Sequence, residues 1–182
     1  MQIEFDNYSV SLIQEKDAWR MCDFVVSNEE RLKAYFPKTL EQNLNPTLSK
    51  FFVAKMTKKI VAREEFLFTI KENSNRTIIG FIYVKELDKE KKTGELAYCL
   101  GYQYEGKRIM TASIKNLIPW CFNDAKLETL QIIVHNSNMG SKKIAENNGF
   151  QWKQTLLEEH TTGNGEILDM ELYELQNLAL QS

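Results

Sequence analysis

A chain of 182 residues, 43% apolar and 26% charged, can bury a substantial core without disulfide or metal staples, and one domain is expected. Its formal net charge of −2 gives no field that would draw it to nucleic acid or to an anionic membrane. Cys22, Cys99 and Cys121 are widely spaced in apolar surroundings, which reads as reduced core thiols rather than a disulfide framework, and no metal cluster is seen. The start Met1-Gln2-Ile3-Glu4-Phe5-Asp6 lacks the basic and apolar regions of a signal peptide, and no apolar run reaches membrane-spanning length. A cytoplasmic protein is expected.

In chain order, residues 8–13 alternate Tyr8, Val10 and Leu12 with serines and read as a strand. A helix follows over Lys16 to Ser27, with Trp19, Cys22, Val25 and Val26 on its inner side, and a second over Glu29 to Phe36 that ends at Pro37. From Lys38 to Arg63 the sequence is polar and mixed: Asn43, Asn45 and Pro46 mark a loop, and residues 51–56 suggest another helix. Its cations, Lys50, Lys55, Lys58, Lys59 and Arg63, read as a solvated face. Residues 65–71 and 77–87 form strands joined at Asn73-Ser74-Asn75, and the charged turn 88–93 leads into a strand over Leu96 to Leu100, completing an antiparallel meander. After the polar loop 103–108, apolar residues at Met110, Ile114, Leu117, Ile118, Cys121 and Phe122 have helical spacing; Pro119 inside that helix is expected to kink or shorten it. A strand over Thr129 to Val134, a short helix over Asn138 to Asn148 closed by Gly149, and a hairpin over 150–159 and 166–175 with an Asn164-Gly165 turn complete the chain.

The strand, glycine turn and helix between Gly94 and Asn123 organise the rest. The first turn of a helix carries amides without intrahelical partners and a partial positive charge, and here Lys107 and Arg108 stand beside it. A phosphate is the natural guest. No Gly-Lys-Ser or Gly-Lys-Thr makes it a P-loop, and the second and third glycines of a dinucleotide fingerprint are missing.

Gln103-x-x-Gly106-x-Arg108 resembles the coenzyme A pyrophosphate loop of the GNAT N-acetyltransferase superfamily, and the wider string 104–111 is similar to that of its ribosomal-protein (Rim-type) branch. Downstream, residues 135–141 ending at Gly149-Phe150 resemble that branch's Asn-x-x-Ser helix. The resemblance covers roughly Ile3 to Leu175. It implies an α/β (α+β) GNAT fold, a mixed, mostly antiparallel central sheet of about seven strands flanked by helices and splayed at the central parallel pair. It implies acetyl-CoA as co-substrate, with Cys99, Leu100, Gln103, Gly106, Lys107, Arg108, Ile109, Met110, Thr111, Asn138 and Ser141 around it, and no metal. Arg108 departs from the family's small residue. Because alanine is accepted there, a positive φ is not expected, and the side chain points to solvent, reaches back to a coenzyme A phosphate, or fills the groove.

Acetyl transfer needs a base for the amine, a donor for the oxyanion and an acid for the thiolate. The resemblance places the oxyanion donor at a backbone N–H near Cys99 or Leu100, and makes Ser141 the acid, with Asn138 orienting pantetheine or water. From spacing alone Asn138 is a helix N-cap and Ser141 a first-turn residue. For the base the candidates rank Glu159, His160, then Glu95, with a water chain as the remaining option; strand alternation puts Glu158 and His160 on one face and Glu159 on the other. The expected activity is acetylation of a primary amine, most like a ribosomal-protein N-terminus, by direct attack in a ternary complex. A small amine such as a polyamine, antibiotic or amino acid, and a non-catalytic module binding coenzyme A or a partner, are the alternatives. A monomer or homodimer is expected.

Overall fold

The computed structural model describes residues 1–162 and 165–177. The strands are β1 (Gln2–Phe5), β2 (Tyr8–Leu12), β3 (Phe66–Glu72), β4 (Ile78–Asp88), β5 (Thr93–Leu100), β6 (Thr129–His135), β7 (Gln151–Thr161) and β8 (Ile167–Gln176). They form one sheet in the order β1-β2-β3-β4-β5-β6-β8-β7. The helices are α1 (Ala18–Ser27), α2 (Glu29–Tyr35), α3 (Pro37–Glu41), α4 (Pro46–Ala62), α5 (Ile109–Asn123) and α6 (Met139–Asn147). A mixed sheet flanked by helices agrees with the expected architecture; β1 is the strand that the sequence reading did not anticipate.

The chain divides into two compact units, Met1–Tyr83 with Tyr98–Lys107, and Val84–Ala97 with Arg108 onward. In the first, β2 pairs antiparallel with both β1 and β3, setting Val10 opposite Ile70 and Leu12 opposite Phe68. The alternation of apolar and small residues in β2 fixes that register, because a slip by one residue would force Val10 onto the buried face that holds only the small Ser9 and Ser11. Val10, Met21, Val25, Leu32, Val53, Phe68, Ile70 and Phe81 are fully buried, and the rings of Phe24 and Phe36 meet Phe81 edge-on. One ion pair is buried with them, Lys71 Nζ to Asp17 Oδ2 at 2.7 Å.

Three readings of this unit are corrected. Trp19 and Val26 face outward, 54% and 48% exposed, because the stripe of α1 runs through Ala18, Met21, Cys22 and Val25, and the Arg20 guanidinium covers the indole. Pro37 does not only end a helix. It starts α3 at the first helical position, where its missing N–H costs nothing. The stretch read as a loop and a short helix is mostly α4, whose N-cap Asn45 accepts the Leu48 amide at 3.0 Å and which ends at left-handed Arg63. Lys50, Lys55, Lys58 and Arg63 are exposed and Lys59 half-buried, as a solvated face requires.

In the second unit β5 and β6 run parallel, with Thr93, Gly94 and Glu95 opposite Thr129, Leu130 and Gln131. Among the described residues that ladder ends at Glu95, although β6 continues to His135. The parting of two parallel strands exposes main-chain groups that an ordinary sheet would consume. On its other side β6 pairs antiparallel with β8 from Thr129↔Gln176 to His135↔Met170. Pro119 neither ends nor shortens α5, which runs on to Asn123 with Ile114, Leu117 and Cys121 buried. The β7–β8 hairpin carries register shifts between Trp152 and Gln154 and between Leu156 and His160, and Glu158 has a left-handed φ of 55°. That bulge overrides the simple alternation expected for Glu158, Glu159 and His160. Gly165 at the hairpin turn has φ 86°; Asn164 lies outside the described residues.

Candidate active site

The proposed cofactor loop begins where β5 ends. Cys99 and Leu100 are buried, and burial pushes the Cys99 thiol up to about 12, so it is not a thiolate at neutral pH. Gln103 lies exposed in a short 3-10 turn over Tyr102–Tyr104, and the Lys107 ammonium sits 5.5 Å from the Tyr104 ring centre. Gly106 has φ 71°, and a Cβ there would meet nothing within 4 Å, so its backbone faces open space.

Arg108 is the N-cap of α5 with φ 59° and ψ 12°, which corrects the expectation that no positive φ is needed at this position. Its left-handed backbone turns the chain so that the amides of Ile109, Met110 and Thr111 head the helix, where no acidic side chain competes. Ile109 and Met110 are buried, fixing that end, while Arg108 and Lys107 are exposed. In the first unit the open Gly106 backbone lies next to Lys107, and in the second Arg108 heads a helix terminus; each is chemistry that suits a phosphate.

Glu95 is the last residue of the parallel ladder, and its side chain is only 12% exposed. Burial raises its pKa; Lys85, whose ammonium lies 3.1 Å from Oε1, opposes that rise, and the carboxylates of Glu86 and Glu159 add to it. A carboxyl held above its ordinary range at a strand fork has the character of a general base. Glu159 is exposed and acts on Glu95 through its charge. His160 pairs with Leu168, and its Nε2 is buried with no hydrogen-bond partner.

Asn138 caps α6, its Oδ1 accepting the Ser141 amide at 3.0 Å. That oxygen is therefore committed to the helix, as the spacing alone indicated, and Ser141 is half-buried in the first turn. Among the described residues no group of three or more metal-ligating side chains converges, and no helix is long and apolar enough to cross a membrane.

The family model of the acetyltransferase (GNAT) domain matches residues 10–151. The chain belongs to this family. It is an acetyl-CoA-dependent N-acetyltransferase. Bacillus subtilis YdaF, whose name proposes a ribosomal N-acetyltransferase, is 21% identical over 145 residues, covering 80% of this chain and 78% of that protein. The structure of a ribosomal-protein-S5-alanine acetyltransferase from Vibrio fischeri superposes with a TM-score of 0.90 at 23% identity, covering 97% of each chain. The microcin C7 self-immunity acetyltransferase MccE, solved with acetyl-CoA and AMP, gives a TM-score of 0.83 at 22% identity over 95% of this chain and 94% of its own. These likenesses carry the fold; the acceptor is not among what they show.

Two residues of this GNAT domain escaped the sequence reading. Lys85 is the first charged residue after the apolar run Ile78–Val84 of β4, a signal that was available. Arg31, which donates to the Leu100 carbonyl at 2.6 Å, had none, because a solvent-facing helix cation looks the same whatever it reaches 69 residues away.

Proposed function

We propose that the chain, acting as one acetyltransferase domain, acetylates the N-terminal amine of a protein, most like a ribosomal protein. The observation that carries the chemistry is Glu95: half-buried at the β5–β6 fork, raised in pKa and paired with Lys85. Glu95 therefore moves from third to first among the candidate bases, with Glu159 as its electrostatic neighbour. Acetyl-CoA, when bound, supplies the thioester carbonyl. Residues 103–111 hold its pyrophosphate, with Arg108 adding charge-assisted hydrogen bonds. Glu95 takes one proton from the acceptor ammonium, and the free amine attacks the thioester carbonyl while a backbone N–H near Cys99 or Leu100 stabilises the oxyanion. As the C–S bond breaks, Ser141 Oγ gives its proton to the sulfur and takes the second proton from the acylated nitrogen.

The ribosomal-protein acceptor is supported by the relatives' names and by charge. Residues 151–176 hold six carboxylates and one lysine, a net of −5 in a chain of −2, so the remainder carries +3. The same acidity favours a second reading, a small polyamine acceptor. Following free coenzyme A while offering N-terminal peptides and polyamines in parallel separates the two. Glu95→Gln is expected to lower kcat by roughly a hundredfold or more while coenzyme A binding is retained; unchanged turnover would remove Glu95 as the base.

A further inference from the structure

Arg31, on α2, sends one side chain to three places in the segment that leads into the proposed cofactor loop. Nη1 donates to the Leu100 carbonyl at 2.6 Å, Nη2 donates to the Glu105 carboxylate, and the guanidinium lies 4.1 Å over the Tyr102 ring centre. Burial works against its charge, but the hydrogen bonds to Glu105 and Tyr102 outweigh burial and hold its pKa above the usual range. The peptide it grips is fixed on both sides, because the next amide, Gly101 N–H, donates to Ile79 O at 2.8 Å. From Gly101 the 3-10 turn continues, Tyr104 N–H to Gly101 O at 3.0 Å and Glu105 N–H to Tyr102 O at 3.2 Å.

Glu105 is electrostatically misplaced for a phosphate loop. It precedes Gly106 directly, so an unpaired carboxylate there would repel the pyrophosphate that the Gly106 backbone, Lys107 and Arg108 attract. We propose that Arg31 is the positioning residue of the cofactor loop: it neutralises Glu105 and fixes the Leu100–Gly101 peptide, so that the loop presents its amides to coenzyme A already ordered. The inference rests on the reading that residues 103–111 hold coenzyme A. Arginine suits the role because its planar fork serves a carbonyl and a carboxylate together while its face covers an aromatic ring. A lysine, with its donors on one atom and no planar face, could not hold the carbonyl and the carboxylate in that geometry and also cover the ring.

Calorimetric titration with coenzyme A, each variant also melted thermally, tests this without knowledge of the acceptor. Arg31→Met is expected to weaken binding by roughly ten- to a hundredfold, less at high salt, where the exposed Glu105 charge is screened. Arg31→Met/Glu105→Gln should recover part of that loss, which a purely structural role for Arg31 would not allow. Arg31→Lys should fall between. Lys33→Met on the same helix, which removes pairs to Glu29 and Glu30, should bind as wild type does. Glu105→Gln alone, at an exposed position, should bind at least as tightly as wild type, and answers even if Arg31→Met does not fold. Wild-type affinity in Arg31→Met, no recovery in the double variant, or a tenfold loss in Glu105→Gln overturns the inference. Absence of binding by the wild type overturns the cofactor reading, and this inference with it.

Discussion

Arg108 stands in a backbone region that an arginine does not choose freely. A left-handed residue with a Cβ costs on the order of 1 kcal/mol, and glycine would remove that strain while adding freedom to the unfolded chain. Arg108→Gly is therefore expected to leave the melting temperature unchanged or slightly raised, yet to weaken coenzyme A binding about tenfold or more through loss of charge-assisted contacts. Tighter binding in that variant would show the side chain to be an obstruction. Lys85 acts on Glu95 in a way that pH reveals. The folded Glu95 pKa is raised, so the carboxylate that accepts the proton is populated only above the ordinary carboxylate range. Lys85→Met removes the group that opposes the rise, and the acidic limb of the kcat/KM profile should move to higher pH. An unmoved limb would mean that Glu95 does not set it.

The elements differ in how far the sequence announced them. Period-two strands such as β2 and β3 and the apolar repeat of α5 were legible, because most of their large apolar residues fall on one face, even though both faces of the two strands are buried. α4 was legible at its centre but not in its extent, since exposed lysines and exposed Phe51 and Val61 blur the stripe of buried Phe52, Val53 and Met56. α1 was legible in extent but rotated: the large apolar side chains Trp19 and Val26 remain outside, because the face that packs runs through Ala18, Met21, Cys22 and Val25. Pro119 shows tertiary packing overriding a local breaker. Ile114, Leu117 and Cys121 anchor both sides of the position, so the helix persists without the N–H that the Lys115 carbonyl would accept. Pro119→Ala at this exposed site should stabilise the protein by roughly 2 kcal/mol, less the unfolded-state freedom regained, visible as a melting point several degrees higher. A lower melting point would show that the ring itself packs.

Across the whole chain, the order of motifs was legible and their partners were not. The loop after β5 and the Asn-x-x-Ser helix were found by their resemblance to a known family's motifs, whereas Arg31, Lys85 and the bulge at Glu158 depend on contacts or backbone turns that no linear pattern records. Charge asymmetry is visible at this scale alone. If the acidic hairpin draws in a cationic acceptor, the KM for lysine- or arginine-bearing N-terminal peptides should rise with ionic strength, more steeply than for neutral ones; parallel salt curves would remove that role. The sheet order carries a different consequence. β8, last of the eight strands in the chain, lies between β6 and β7 and supplies the antiparallel partner of β6 from Thr129 to His135. On the ribosome, then, neither β6 nor β7 can complete its pairing until residues 167–176 have emerged, so the strand fork waits on a segment made about forty residues after β6 began.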